Sequence, residues 1–206
     1  MRIEFLLEEA SAEAALRNLL PRMVGQSHEF GLHVFNGKNN LLSRLPRVLK
    51  GYRSWLPKDS RILVLIDEDR QDCHALKARI ETAATQAGFL TKTVSGARRS
   101  FQVLNRLAVE ELEAWFLGDI EALVTAYPRV PKTLGCKRGY KNPDGITGGT
   151  WEALERVLMK AGYYPTGLSK IEAARNISKH MDPERNMSKS FKVFKEGLQA
   201  LLRQPT

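Results

Sequence analysis

The sequence predicts an α/β fold of the doubly wound, Rossmann-like class, with a mainly parallel sheet of four to five strands and a C-terminal helical extension. Three observations support this prediction. Short apolar runs alternate with helical patterns over the first part of the chain, as in βαβ units. The run from Ile62 to Ile66 has no polar interruption, which is typical of a strand buried on both faces of a parallel sheet. Beyond residue 127 a stretch rich in Pro, Gly and Lys is followed by helical patterns alone.

Five apolar runs are candidate strands, and a helical pattern follows most of them. The predicted strands are Ile3 to Leu7, Phe30 to Phe35, Arg61 to Ile66, Phe89 to Val94 and Phe101 to Val109. Helical spacing is predicted from Ser11 to Met23, Leu41 to Leu49, Asp72 to Gly88 and Glu110 to Leu123, the last as one continuous segment. This order predicts one α/β domain over residues 1–127.

Residues 128–206 are predicted to form a basic loop and a helical extension that pack on the same domain. Pro128 to Thr150 is rich in Pro, Gly and Lys and has no apolar period, which is typical of a surface excursion or a linker. Three short helices are predicted at Trp151 to Ala161, Ser169 to Met181 and Ser190 to Leu202.

The overall charge of the chain is basic. A formal net charge of +9 favours a polyanionic partner such as nucleic acid, although a merely soluble basic surface explains it as well. The two cysteines lie far apart, which argues against a disulfide framework and a structural zinc site. No apolar run approaches the length of a membrane span or a signal peptide, so we expect a cytoplasmic protein without membrane contact.

Carboxylates follow two of the predicted strands. Glu8 follows the first strand, and Asp67 and Asp69 follow the third. If these strands are parallel neighbours, the three side chains converge at one edge of the sheet. Carboxylates at i and i+2 past a strand can reach one divalent ion, and Mg²⁺ favours one or two such ligands with water and phosphate. The sequence therefore predicts a site for Mg²⁺ (or Mn²⁺), unless Glu68 and Asp69 only begin the next helix.

Further charged residues are candidates for auxiliary roles. Glu110 and Glu113 lie three residues apart on one predicted helical face, which suits a general base or a second metal; a solvated helix start explains them equally well. Six basic residues are candidates for contacts to a phosphate backbone, namely Arg98, Arg99, Lys132, Lys137, Arg138 and Lys141. A solvated loop would carry the same charges without any such function.

The acidic motifs resemble those of a known family. Glu8 at the end of a first strand and Asp67-Glu68-Asp69 at the end of a later one resemble the Toprim domain of topoisomerases, primases and nucleases of the overcoming-lysogenization-defect type. The resemblance implies an acid/base role for Glu8 and Mg²⁺ binding by the two aspartates. Many Toprim domains follow the glutamate with glycine, whereas Glu9 stands here, so the working residue is Glu8 or Glu9; the register of the family opening favours Glu8.

Longer strings resemble a bacterial family that is described as a Toprim-like domain of unknown function. They are LLEEASAEAAL near the start, EELEAWFLGD in the middle, and KIEAARNISKHM with NMSKSFKVF near the end. The resemblance marks seven residues as typical of that family: Glu113, Trp115, Asp119, Lys170, Ser188, Ser190 and Phe191.

Taken with the resemblance, these features predict a Mg²⁺-dependent enzyme that acts on nucleic-acid phosphodiesters, namely a nuclease of a bacterial defence or DNA-maintenance system. In this hypothesis Glu8, Glu110 and Glu113 are catalytic. Glu8, Asp67 and Asp69 bind the metal, and the six basic residues bind nucleic acid. The alternative is a non-catalytic Toprim-like subunit of an ATPase, because the resemblance implies relatives that are encoded beside ATPases.

Overall fold

The computed structural model describes residues 1–25, 27–96 and 100–204 of the chain. Within these residues, four parallel strands form one sheet with the spatial order β2-β1-β3-β4. The strands are β1 (Arg2–Leu7), β2 (Glu29–Val34), β3 (Arg61–Asp67) and β4 (Val103–Ala108). The order reverses between β1 and β3, so the crevice at their carboxyl ends is the topological switch point of a doubly wound sheet. The predicted α/β, Rossmann-like fold class is confirmed, with a sheet of four strands.

Helices cover both faces of this sheet. In the described residues they are α1 (Ala10–Val24), α2 (Lys38–Trp55), α3 (Cys73–Gln86), α4 (Lys92–Ser95), α5 (Glu113–Leu117), α6 (Ile120–Ala126), α7 (Thr150–Lys160), α8 (Lys170–Ser178) and α9 (Lys189–Leu202). Three short 3₁₀ helices, Lys132–Cys136, Arg138–Tyr140 and Pro143–Gly145, lie between α6 and α7. None of the helices in this part of the chain has both the length and the apolar character that crossing a bilayer requires.

Strand β3 is buried along its whole length, as its unbroken apolar sequence predicts. Leu63 and Leu65 face a core that includes side chains of α1 and of α5 to α9. Val64 and Ile66 face a second core, which α2 and α3 complete. Because successive side chains of a strand point to opposite faces, a strand between two helical layers must be apolar at every position.

The predicted strand from Phe89 to Val94 is wrong. Thr91 makes an isolated parallel bridge to Val103, and the short helix α4 begins at Lys92. The hydroxyl of Thr91 accepts a hydrogen bond from the backbone N–H of Val94 at 3.2 Å. This N-cap satisfies a donor of the first helical turn, so the chain turns into α4 after a single bridge.

The predicted single helix from Glu110 to Leu123 is also wrong, because the chain forms α5 and α6 instead. Asp119 lies between them with φ −127° and ψ 82°, which is not helical. Its carboxylate accepts a hydrogen bond from the backbone N–H of Ala122 at 3.1 Å and so caps α6. The apolar period continues through both helices, which explains why periodicity alone does not detect the break.

The segment after residue 127 shares its core with the sheet. Leu154, Ile177 and Phe191 belong to the same cluster of buried side chains as Phe5 of β1. The fully buried Trp115 holds this packing together: its ring lies 5.1 Å from that of Phe191, and its indole N–H donates to Ser190 Oγ at 3.0 Å. Trp115, Ser190 and Phe191 therefore fix the C-terminal helices against the α/β core.

Gly118→Ala should destabilise this packing. A methyl group at Gly118 would lie 2.3 Å from Asn186 Oδ1 and 2.8 Å from the backbone nitrogen of Ser188, so the segment before α9 would have to move. We expect a loss of about 1–3 kcal/mol in the free energy of unfolding, measured by urea denaturation. Gly139→Ala is the control, because no atom lies within 4 Å of its added methyl group. Equal urea midpoints for the two variants would contradict this prediction.

Candidate active site

Glu8 and Asp67 meet at the topological switch point. Glu8 directly follows β1, and Asp67 is the last residue of the neighbouring parallel strand β3. The backbone N–H of Asp67 donates a hydrogen bond to Glu8 Oε2 at 3.0 Å. Both residues are buried. The Glu8 carboxylate therefore lies against the end of β3 that carries Asp67, at the edge where open α/β sheets bind their ligands.

Asp69 lies in a different environment from Asp67. Its carboxylate forms an ion pair with Lys38, with 2.7 Å between Oδ2 and Nζ, and its side chain is 43% exposed. The same ammonium group donates to the carbonyl oxygen of Glu68 at 3.1 Å. Asp69 and Arg70 have φ of 50° and 59°, a region that such residues rarely occupy, so these contacts hold an otherwise unfavourable turn. The Asp69 carboxylate is thus paired with a lysine side chain of the protein.

Glu113 enters the site from α5. Its side chain is 2% exposed, and Oε2 has no hydrogen-bond partner among the described residues. The nearest cation is Lys170 of α8, whose Nζ lies 3.9 Å from Glu113 Oε1 and 4.0 Å from Glu111 Oε1. The ammonium group also lies 4.9 Å from the centre of the Trp151 ring. The C-terminal helices therefore contribute a cation to the edge of the site.

Glu110 and Glu113 do not share a helical face, which corrects the prediction from their spacing. Helix α5 begins only at Glu113, and Glu110 lies in the connection after β4. The Glu110 carboxylate forms an ion pair with Arg70, and its carbonyl oxygen accepts from the backbone N–H of Asp69 at 2.8 Å. Glu110 thus stabilises the turn after β3, while Glu113 is buried at the start of α5.

The buried carboxylates have raised pKa values. Burial raises the pKa of Asp67 well above its usual range, and the charges of Glu113 and Glu8 raise it further. Burial raises the pKa of Glu8 to about 7, against the opposing hydrogen bond from the Asp67 backbone. Burial likewise raises the pKa of Glu113 to about 7, although Lys170 opposes this shift. Near neutral pH this acidic cluster, Glu8, Asp67 and Glu113, is therefore partly protonated.

The acidic cluster fits a divalent cation in part. Among the described residues, no group of three or more His, Cys, Asp or Glu side chains is arranged to hold a metal ion. Glu8 and Asp67 nevertheless supply hard oxygen atoms, and Mg²⁺ needs only one or two carboxylates when water and phosphate fill its remaining positions. The unpartnered Glu113 Oε2 is a further oxygen atom that has no donor in the described structure. Asp69 would have to leave Lys38 before it could become a ligand.

The chain matches one family model, the domain of unknown function DUF4276, over residues 7–201. It belongs to this family. No curated protein and no solved structure matches the chain. The family description names no activity, so the resemblance to Toprim domains stays a hypothesis.

Four of the basic residues predicted to bind nucleic acid lie on a separate segment from the acidic cluster in this DUF4276 chain. Lys132, Lys137, Arg138 and Lys141 are all exposed and belong to the segment between α6 and α7. In the structure as described, no hydrogen bond or ion pair joins them to Glu8, Asp67, Asp69 or Glu113. Arg98 and Arg99 lie outside the described residues.

Sequence patterns indicate no role at the site for two of its cationic residues. Lys170 stands out in the sequence only as a family-typical residue, and Lys38 was not identified at all. Lys38 follows the carboxyl end of β2, which is the same sheet edge that brings Glu8 and Asp67 together. The rule that brings Glu8 and Asp67 together therefore also finds Lys38 when it is applied to basic residues.

Lys38→Met should destabilise the turn after β3. The substitution keeps the length of the side chain but removes the charge that binds Asp69 and the Glu68 carbonyl group. We expect a loss of about 1–3 kcal/mol in the free energy of unfolding, measured by urea denaturation at about pH 8. Lys50→Met, at an exposed position of the same helix, should change it by less than about 0.5 kcal/mol. Comparable losses of stability in both variants would show that the effect comes from the change in net charge and not from the contacts of Lys38.

Proposed function

We propose that this protein is a Mg²⁺- or Mn²⁺-dependent nuclease of the Toprim type. The observation that carries the proposal is the pair of buried residues Glu8 and Asp67 at the switch point of a doubly wound sheet, where the Glu8 carboxylate is bound to the Asp67 backbone and its charge raises the pKa of Asp67. Burying such groups together is unfavourable unless protons or a cation neutralise them. A catalytic cation site provides a reason for this arrangement.

Each residue of the acidic cluster supports a distinct role in this proposal. Asp67 would hold the cation, Asp69 would join it on leaving Lys38, and Glu8 would either complete the metal site or act as the general acid or base. In the metal-free protein burial raises the pKa of Glu8 to about 7, which suits a general acid or base at neutral pH. A bound Mg²⁺ would polarise a phosphoryl oxygen and stabilise the leaving oxygen. Glu113 and Glu110 would act as auxiliary carboxylates, the first within the cluster and the second through the turn that carries Asp69.

Glu8, rather than Glu9, is the acid/base residue in this proposal. The Glu8 carboxylate is bound to the backbone of Asp67, inside the cluster. The Glu9 carboxylate instead accepts a hydrogen bond from Ser11 Oγ at 3.2 Å, at the start of α1. We place the activity in the cytoplasm, in a bacterial defence or DNA-maintenance system, on the basis of the family resemblance and the basic net charge.

One observation favours the alternative of a non-catalytic partner subunit of an ATPase. The ion pair between Asp69 and Lys38 occupies one of the two aspartates that the Toprim resemblance assigns to the metal. In a protein that no longer binds a metal ion, the ammonium group of such a lysine could take the place of the metal ion permanently.

A cleavage assay separates these two functions. Purified protein would be incubated with single- and double-stranded DNA and RNA in Mg²⁺, in Mn²⁺ and in EDTA, beside the double variant Asp67→Ala/Asp69→Ala. We expect metal-dependent cleavage by the wild type alone, and calorimetry should show metal binding that the variant lacks. The control variant Asp59→Ala/Glu196→Ala removes two exposed carboxylates and should cleave normally. The absence of both cleavage and metal binding would falsify the nuclease proposal, whereas cleavage only with an added ATPase would support a joint function.

A further inference from the structure

A basic cleft lies between α7 and the segment that follows α6. It has a volume of about 340 Å³. Its lining includes four cations, Arg129, Lys137, Arg156 and Lys160, and none of its described lining residues carries a carboxylate. Leu134 and Val157 contribute apolar surface between these charges. The cleft is therefore a surface of one charge sign with room for an extended anion.

The surrounding sequence keeps negative charge away from this cleft. Between Pro128 and Lys141 there are five Lys and Arg residues and no Asp or Glu. On α7, Glu155 lies outside the lining, and its Oε1 accepts a hydrogen bond from the backbone N–H of Leu168 at 3.1 Å. In the described structure Glu155, the acidic residue next to Arg156 in sequence, thus forms no ion pair with the cations of the cleft.

Arg129 is held in place before any ligand binds. Its Nη2 donates to the carbonyl oxygen of Gly162 at 2.7 Å, and its guanidinium carbon lies 4.1 Å from the centre of the Tyr163 ring. A guanidinium group fixed by stacking loses little further freedom when it binds an anion. Its planar array of donors also matches the oxygen atoms of a phosphate group.

Helix α7 begins beside Glu111, whose Oε1 lies 4.0 Å from the Lys170 ammonium group that also lies 3.9 Å from Glu113 Oε1 of the acidic cluster. At its amino end, Glu111 Oε2 accepts hydrogen bonds from Thr150 Oγ1 at 3.0 Å and from the Trp151 N–H at 2.8 Å. Arg156 and Lys160 lie six and ten residues after Thr150. At a rise of 1.5 Å per residue, these positions are about 9 and 15 Å further along the helix axis. This distance corresponds to about three to four nucleotides of one duplex strand, at a rise of about 3.4 Å along the duplex axis per nucleotide.

We propose that this cleft binds the phosphodiester backbone of nucleic acid about three to four nucleotides from the acidic cluster. The inference rests on the proposed function, and it names Arg129, Arg156 and Lys160 as backbone contacts in addition to Lys137. The strand would run along α7, with its reacting bond near the amino end of that helix and its neighbouring phosphates in the cleft.

Binding can be tested separately from cleavage. Fluorescence anisotropy would follow fluorescein-labelled single- and double-stranded DNA of about 20 nucleotides in EDTA, over a series of KCl concentrations. The cleft variant is Arg156→Ala/Lys160→Ala. The control, Arg47→Ala/Lys50→Ala, removes the same two charges from exposed positions of α2. Circular dichroism and urea denaturation would verify that both variants fold.

We expect the cleft variant to bind duplex DNA about tenfold or more weakly than the control does. The slope of log affinity against log salt should fall by about 0.9 for each lost phosphate contact, hence by about 1.8 for two. Equal losses in both variants would overturn the inference, because they would show an effect of net charge alone. Failure of the wild type to bind any of these DNAs would also overturn it.

The proposed function and this inference can fail independently. Cleft-dependent binding without metal-dependent cleavage would support the cleft and contradict the nuclease. Metal-dependent cleavage with unchanged binding by the cleft variant would support the nuclease and contradict the cleft.

Discussion

Asp67→Asn should abolish metal-dependent cleavage and, at about pH 8, raise the stability of the metal-free protein. The amide has the shape of the carboxylate but binds a cation poorly, so we expect cleavage to fall by at least about 100-fold, equivalent to about 3 kcal/mol of transition-state stabilisation. Stability should rise because burial and the charges of Glu113 and Glu8 disfavour an ionised Asp67, as its raised pKa indicates. Initial cleavage rates and urea midpoints measure the two effects.

Asp72→Asn is the matched control for this experiment. Asp72 is exposed, and its carboxylate caps α3 by accepting hydrogen bonds from the backbone N–H groups of His74 at 2.9 Å and Ala75 at 3.2 Å. Asparagine caps helices about as well, so activity should be unchanged and stability should shift by less than about 0.5 kcal/mol. If Asp67→Asn cleaves normally, Asp67 is not catalytic. If it lowers the urea midpoint, its carboxylate has a structural role.

The stability of the metal-free protein should fall as pH rises from about 5 to about 8. The pKa values of Glu8 and Glu113 are raised from 4.5 to about 7. Between these values the folded state binds more protons than the unfolded state, so the free energy of unfolding falls with increasing pH. At 1.36 kcal/mol per pKa unit, the full effect is on the order of 3 kcal/mol for each group and is complete above about pH 7. Asp67 contributes in the same direction.

The charged groups around both glutamates determine the size of this effect. The charge of Lys38 lowers the pKa of Glu8, as does the hydrogen bond from the Asp67 backbone, whereas the charges of Asp69 and Glu9 raise it. Lys170 lowers the pKa of Glu113, whereas Glu111 and Glu9 raise it. Burial is the largest contribution in each case, so the cluster as a whole favours protons at low pH and a cation at high pH.

Urea denaturation from about pH 5 to about pH 8, in EDTA and in excess Mg²⁺, measures this dependence. Mg²⁺ should restore stability at high pH and have little effect at low pH, because it competes with protons for the same oxygen atoms. The double variant Glu8→Gln/Glu113→Gln should show a flatter profile and a smaller response to Mg²⁺. A wild-type profile that is already flat would contradict the raised pKa values, and an unchanged slope in the double variant would assign the effect to other groups.

Much of the architecture that positions the acidic cluster can be predicted from local sequence. The apolar run before Asp67 has the pattern of a strand buried on both faces, and β3 is such a strand. Glu8 follows another apolar run, and parallel pairing of β1 with β3 brings the two carboxylates together. Both predictions depend on short-range patterns and on the general rule that parallel strands end at one edge.

Predictions that assumed one regular element across a turn were wrong. Spacing places Glu110 and Glu113 on one face only if a helix already includes both residues, and α5 begins at Glu113. The segment from Phe89 to Val94 has the apolar character of a strand, but a side-chain cap starts α4 within it. In both places the outcome depends on individual hydrogen bonds that hydrophobic periodicity does not detect.

The fold class of this protein and the edge at which Glu8 and Asp67 meet follow from its amino-acid sequence, because local hydrophobic patterns predict strand burial and strand direction. The electrostatic state of each carboxylate depends instead on the tertiary packing. Asp69 pairs with Lys38 from the connection after β2, and Glu113 lies near Lys170 from α8. The pKa of a carboxyl group depends on its burial and on charges a few ångströms away, and residues distant in sequence supply both only when the whole chain is packed.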